Sequence, residues 1–526
     1  MRKSYQVWLP ILLVCFATVA ASAQSFRVQC PTSTKTHPNA ANNNSEPTFV
    51  GPTYTGTNGY PSAPANVNGA IKCQQISGGD GYATMGDGTQ TYMFSFGPLS
   101  GLVDIANGLP GTEFPNVFNT VYTGGTANPL QPGDPATAIG NGGTFTYNGA
   151  IGLVPDVDGN GGNGTATAAL TGHVDPRQIM DVGVMNGNIP APMMAIDEDD
   201  EFFLTLTNVG MIMRPDLFEQ HTVHFHGYPN ASAFYDGVPD ASVAINIGAS
   251  FTYYYLAPDA GTYFWHCHIT PPEHLQMGMV GQMYVRPRQD RVAVGGNLYS
   301  ALQQQELDLR MKCDSSTDIL CSNPLPAVNT AATRAANGNY AYNDGDGSTY
   351  YDVEYPIQIH GFDPNFHFVG MTFNPEGFSD MKDKYFLLNG RSYPDTVTPG
   401  PMQTVSADGT NHFSQPLPSI ISIPAGKKAL LRISDLDVTE YQTLASLGIP
   451  MKVIAINAKL LRDQAGNNLY YTTNSITLAG GESLDVILDA TGYTAGQVFY
   501  LYTPNLDHLS NDAENFGGLM TEVRIN

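Results

Sequence analysis

Two short stretches of this chain concentrate residues that can hold a metal. The first is His221-Thr222-Val223-His224-Phe225-His226-Gly227. The second runs Trp265-His266-Cys267-His268-Ile269-Thr270-Pro271-Pro272-Glu273-His274-Leu275-Gln276-Met277-Gly278-Met279. A thiolate, two imidazoles and a weak thioether make the donor set of a blue copper centre, because soft sulfur stabilises Cu(I) while imidazole serves both oxidation states. His221, Cys267, His274 and Met279 supply that set, with Met277 the alternative thioether. Successive side chains of a strand face opposite ways. His224 and His226 therefore share a face, as do His266 and His268, while Cys267 points to the other. A second imidazole cluster is expected across the sheet, joined to the first site through the Cys267 backbone. That layout suits electron transfer between two metal sites. Zinc is the rival metal, but structural zinc rarely combines His-x-His and His-Cys-His on neighbouring strands.

The elements that must position these residues read as strands. Thr91-Tyr92-Met93-Phe94-Ser95-Phe96, Phe202–Thr207, Phe251–Tyr255 and Thr262–Trp265 are rich in aromatic and β-branched residues, and Gly, Pro and Asn punctuate them. The fold class is all-β: tandem cupredoxin-like Greek-key sandwiches behind an irregular N-terminal leader. Residues 24–80 are the leader, rich in Pro, Asn, Gly, Ser and Thr. Residues 81–290 form the copper-binding domain, with a Gly/Asn-rich insertion, and 291–350 a linker. Residues 351–526 form a second β domain, with strands at Ala429–Ile433 and Leu484–Leu488. Within the insertion, Asp156-Val157-Asp158-Gly159-Asn160-Gly161 matches half of a calcium loop, but Thr167 stands where Glu is wanted, so a metal-free turn is expected.

Residues 1–23 read as a signal peptide: basic Arg2 and Lys3, an apolar run from Val7, and Ala21-Ser22-Ala23 as a cleavage site. The expected location is secreted, periplasmic or extracellular, with no transmembrane segment in the rest of the chain. The net charge of −24 excludes nucleic acid and anionic membrane as partners. Six cysteines are present, and Cys15 lies in the signal, leaving an odd number in an oxidising compartment. Cys30 with Cys73 and Cys313 with Cys321 are expected disulfides by proximity in sequence, which leaves Cys267 as the single thiol.

The region from about 194 to 290 resembles a multicopper oxidase cupredoxin domain. His224-Phe225-His226-Gly227, Asp236-Gly237-Val238-Pro239, Gly261–His268 and Gly278-Met279-Val280-Gly281 carry the likeness. The resemblance implies that His224, His226, His266 and His268 bind type 2 and type 3 copper, and that Asp236 assists proton supply. A cysteine between the second pair of histidines places the type 1 copper in the first domain, which resembles two-domain oxidases and copper nitrite reductases. The nitrite reductase pattern has Asp at the place of His224, so the oxidase branch is favoured. Phe386-Leu387-Leu388-Asn389-Gly390-Arg391 and Ala479–Val486 resemble a second oxidase domain. That domain departs from the pattern: where histidine pairs would stand it has Tyr502–His508, and His360 and His367 lack ligand spacing. His173, His360, His367, His412 and His508 are therefore expected to be structural. The implied activity is a copper oxidoreductase that passes electrons from type 1 copper to the imidazole pairs and reduces O2. The rival is a blue-copper electron carrier or copper-binding protein without turnover. The electron donor could be a phenol, a metal ion or a redox protein. A homo-oligomer pairing two first domains, or a different chain, could complete the cluster.

Overall fold

The computed structural model describes residues 30–51, 67–119, 155–157, 170–174, 187–211, 213–214, 216–227, 233–257, 259–303, 324–371, 377–405 and 411–526. The expected signal peptide, the Cys313/Cys321 pair and residues 158–167 of the half calcium loop lie outside them. The first sandwich is built from β1 (Ile71–Thr84), β2 (Gln90–Pro98), β3 (Met194–Asp197), β4 (Glu201–Gly210), β5 (His224–Phe225), β6 (Ser250–Leu256), β7 (Gly261–His266) and β8 (Val280–Arg286). One sheet runs β2-β1-β4-β6 and the other β3-β8-β7-β5. Between them Phe94, Phe96, Leu204, Leu206 and Tyr253 pack against Met194, Phe225, Trp265 and Met283. Alternating aromatic and aliphatic residues on the inward faces make this core, as the strand pattern requires.

One expectation fails. The end of the irregular leader is instead β1, a central strand that pairs antiparallel with β2 and parallel with β4. No alternation betrays it, because both of its faces are buried. Gln74, Gln75, Ser77 and Asp80 are as enclosed as Ile71, Cys73 and Ile76. Asp80 is held by the Tyr92 hydroxyl at 2.7 Å and the Met213 N–H at 2.8 Å. Cys30 is bonded to Cys73 on this strand.

A second sandwich spans Val353 to Ile525, and its core includes Ile357, Leu431, Ile433, Val453, Val486, Leu501 and Val523. The two bodies meet in a polar seam. Gln282 Nε2 donates to the Arg432 carbonyl at 2.9 Å and to Ser434 Oγ at 2.6 Å. Thr262 Oγ1 donates to Asp485 at 2.6 Å, and Arg286 pairs with Glu354 at 2.8 Å. The stretch expected as a linker is also clipped down. The Arg462 guanidinium donates to Asp346 at 2.8 Å and to the Asp344 carbonyl.

The seam also braces the metal-ligand loop. His360 Nε2 donates to the Leu275 carbonyl at 3.0 Å. His367 stands between the carbonyls of Tyr92, at 2.7 Å, and Gln276, at 2.9 Å. Burial holds its pKa down at about 3, so the neutral ring donates to one carbonyl at a time.

Candidate metal centre

Cys267 follows the last residue of β7, and its loop closes on itself. The Cys267 N–H donates to the Met279 carbonyl at 3.0 Å, and the Met279 N–H to the His274 carbonyl at 2.8 Å. Within this loop, Pro271 and Pro272 start the short helix α1 (Pro271–Gln276), which carries His274 inward. His221 comes from across the sandwich. It is no part of a regular strand; a single bridge to Ile245 holds its backbone, at 3.1 and 2.9 Å. Gly78 of β1 lies under its ring: a Cβ there would sit 2.6 Å from His221 Cδ2.

The donor atoms of His221, Cys267 and His274 lie within 4.8 Å of one another, and all three residues are buried. His274 Nδ1 is 3.3 Å from Cys267 Sγ, which also accepts the Thr222 N–H at 3.4 Å. Both ring nitrogens of His221 and Nε2 of His274 are buried without a hydrogen-bond partner. A buried polar atom left unpaired costs about 1–3 kcal/mol. A soft metal ion between the thiolate and the two rings would take one of the unpaired His221 nitrogens and the His274 Nδ1 that faces Cys267, leaving His274 Nε2 toward Glu219, so the residues fit copper. Met279 is buried in the same core. Met277 is buried in that core too, but its Sδ packs against α2 (Pro364–Met371), 3.5 Å from a Cβ position on Gly370.

Burial, then the neighbouring His274, drives the His221 pKa well below the ordinary imidazole value. Burial opposes charge on His274 too. The Cys267 thiolate and the Glu219 carboxylate outweigh it and raise His274 to about 9. Glu219 stands 3.6 Å from His274 Nε2.

Across the sheet, His224 and His266 face each other in register. The rings of His224, His226, His266 and His268 approach at centroid distances of 4.9 to 5.4 Å. Donor atoms of His224, His226 and His266 lie within 4.8 Å of one another. The two Nε2 atoms of His226 and His266 are 2.9 Å apart. His224 Nδ1 donates to the Asp236 carbonyl at 2.6 Å, and His266 Nδ1 to the Cys267 carbonyl at 2.7 Å. Each bond aims the remaining nitrogen into the cluster, as metal-ligating imidazoles require. The second bond also ties the cluster to the cysteine residue itself. Burial holds His226 at about 4 and His266 at about 3, so both are neutral and able to act as donors. The Asp236 carboxylate is 3.7 Å from His224 Nδ1, farther than its own carbonyl.

This cluster opens on a cleft of about 500 Å³ whose opposite wall belongs to the second sandwich. That wall carries Asp437, Glu440 and Gly481. His508 stacks on Phe386 at 3.7 Å and faces Gln442 Oε1 at 3.1 Å, with its Nε2 3.3 Å from the Glu440 carboxylate of that wall. The side chains of His173 and His412 lie outside the described residues. Glu219, Gly78, Asp437 and Glu440 were not anticipated from the sequence. Only Glu219 carried a local hint, two positions before His221.

Residues 169–290 match the family model of the multicopper oxidases. Laccase-1 of Emericella nidulans is 37% identical over 111 residues, covering 20% of this chain and 16% of that protein. Laccase abr2 of Aspergillus fumigatus is 30% identical over 128 residues, covering 24% and 20%. A copper-containing nitrite reductase of Neorhizobium galegae is 34% identical over 106 residues, covering 20% and 25%. The matched segment thus spans a quarter or less of each of these relatives. Among solved structures, the blue copper oxidase of Nitrosomonas europaea superposes with a TM-score of 0.42 at 21% identity, covering 65% of this chain and 78% of that one. The segment that carries Cys267 and both imidazole groups belongs to the cupredoxin-type multicopper oxidase family.

Proposed function

We propose that this chain is a copper-dependent oxidoreductase, with His221, Cys267, His274 and Met279 holding a type 1 copper and His224, His226, His266 and His268 holding a second copper site. The observation that carries the reading is the enclosed Cys267–His274–His221 trio, with a second imidazole cluster starting at the adjoining residue. Copper held by the first set would supply reversible one-electron transfer. The chain's own part is to fix the rings, exclude water and provide a short path. That path runs from Cys267 through its carbonyl to the His266 ring, a hydrogen bond of 2.7 Å. The acceptor, O2 in this reading, meets the imidazoles in the cleft, where water and small molecules have room. Met279 is favoured over Met277 as the thioether, since Met277 faces Gly370. Asp236 remains the candidate proton source, its carboxylate 3.7 Å from His224. Export follows from the expected signal peptide. No helix among the described residues is long and apolar enough to cross a membrane.

One observation favours a second reading. The second sandwich brings Asp437 and Glu440 to the cleft instead of histidines. A partner chain or a second copy then completes the cluster, or the chain is an electron carrier. Copper-loaded full-length chain decides between these. Oxidase function predicts two or more coppers per chain with distinct type 1 and type 2 EPR signals, and O2 uptake that Cys267→Ser abolishes together with the visible thiolate band. About one copper per chain without O2 uptake supports the carrier. A colourless copper-loaded chain overturns both readings.

A further inference from the structure

The second sandwich grips the metal-ligand loop between His274 and Met279. His360 holds the Leu275 carbonyl. The next residue, Gln276, is fully enclosed. Its Oε1 accepts the Asp363 N–H at 3.1 Å, and its Nε2 donates to Asp383 Oδ1 at 2.9 Å. Its carbonyl ends α1, where helix carbonyls need partners from outside the helix. That carbonyl faces His367 Nε2 at 2.9 Å, while Nδ1 of the same ring faces the Tyr92 carbonyl at 2.7 Å. Phe362 stacks on the ring at 3.6 Å and fixes its plane. A neutral imidazole carries one N–H, so the two carbonyls compete for it. Tyr92 lies on β2, which β1 holds along its length. Gln276 lies in no strand, so its carbonyl depends more on the ring. Beyond it, the Met277 Sδ packs against Gly370 of α2, and Phe366 of α2 enters the core that holds Met277 and Met279.

We infer that His367 is a positioning residue of the Cys267 centre: its Nε2–H holds the Gln276 carbonyl, keeps Met277 against α2, and so leaves Met279 as the thioether that meets the metal. This rests on the copper reading of that centre and gives the second sandwich a part in tuning it. The axial ligand sets the reduction potential of a thiolate–imidazole copper site. A clamp that withholds one of two neighbouring thioethers therefore fixes that potential from outside the ligand set. His367 acts only through the loop.

The test uses the copper-loaded full chain and reads the visible thiolate band, the copper EPR signal and a redox titration against a mediator couple of known potential. His367→Phe keeps the ring stack but has no donor. His367→Gln places an N–H where Nε2 stood, and His367→Asn places one where Nδ1 stood. His367→Phe and His367→Asn should change the Cu(II)/Cu(I) equilibrium about three- to tenfold, since one hydrogen bond is lost. At 59 mV per tenfold for one electron, that is a shift of about 30–60 mV. The band should move with it, and His367→Gln should restore the wild-type values. Met277→Leu alone should leave band and potential unchanged, while Met279→Leu should alter both. Gln and Asn variants that behave alike would overturn the assignment, since the ring would then only fill space. So would a wild-type potential in His367→Phe, or a changed band in Met277→Leu. If melting shows that metal-free His367→Phe does not fold, the comparison of Gln with Asn decides alone. A wild-type chain without a band refutes the copper reading itself, a separate result.

Discussion

Replacing Gly78 with alanine would push a methyl group into the ring of His221. A Cβ at that position lies 2.6 Å from Cδ2 and 3.4 Å from Nε2, where ordinary contacts are 3.4–4 Å. The ring must therefore retreat by roughly 1 Å, several times the ~0.2 Å tolerance of metal–ligand distances. The strand cannot yield in its place, because Gly78 is laddered to Phe96 on one side and Asn208 on the other. Overpacking of this kind costs about 1–3 kcal/mol. If the site bears that cost, copper affinity falls about five- to 150-fold. Competition with a chelator of known affinity measures the loss, and the position of the visible band reports the altered geometry. Melting of the metal-free variant is the control, since a relaxed ring leaves the fold near wild type. Unchanged affinity, band and melting would refute the claim that Gly78 confines His221.

Three further outcomes follow from other parts of the molecule. Gly237 has φ +80°, and a Cβ there would sit 2.0 Å from the Val223 carbonyl, so Gly237→Ala should disturb the turn that holds His224. That variant should lose type 2 EPR intensity while keeping the type 1 band. Removing the Cys30–Cys73 bridge, which spans 43 residues, should cost up to about 4 kcal/mol by loop entropy, measured by denaturant unfolding of the Cys30→Ala/Cys73→Ala variant. Stability should also peak in mild acid. Burial lifts Glu198 from 4.5 to about 7, so the folded state keeps a proton that the unfolded chain gives up, and stability falls as pH rises across that window. Despite burial, Arg286 and Arg432 hold Glu354 at about 2, and hydrogen bonds from His37, Thr34 and Tyr254 hold Glu201 there too. Those contributions disappear as pH falls from 4.5 toward 2. The buried neutral rings of His226, His266 and His367 add stability as pH rises to 6.5, and His274, raised to about 9, withdraws it above that. Melting temperatures of the metal-free chain should therefore be highest at about pH 6.5 and lower at about pH 3 and pH 9; a monotonic rise toward pH 9 would contradict this.

What could be read in the sequence was what the chain keeps local. Cys267, His274 and Met279 lie on one loop, and His-x-His alternation is a property of any strand, so both donor groups were visible as spacing. Strands such as Phe251–Tyr255 announced themselves by aromatic and β-branched residues over a half-buried surface. β1 did not, because a strand enclosed on both faces and pairing with two neighbours can carry Gln, Ser and Asp inside. Gly78 beneath His221 joins residues far apart in the chain, and so does the Asp437–Glu440 wall opposite His226. No local pattern encodes such neighbours; folding within the first sandwich creates the former, and the packing of two sandwiches against each other the latter. The Asp236 motif was legible, but not that its carbonyl, rather than its carboxylate, holds His224.

The chain has two tryptophans, Trp8 and Trp265, and Trp265 is the one within the described residues. Its indole is fully enclosed, stacked on Phe96 at 5.2 Å, with Gly281 leaving just enough room for its ring. It stands two residues before the thiolate and next to His266. An emitter so placed should fluoresce at short wavelength, and an ion with unfilled d orbitals bound nearby should quench it. The molecule therefore carries its own optical gauge of occupancy, which in the purified protein separates filling of the site from turnover.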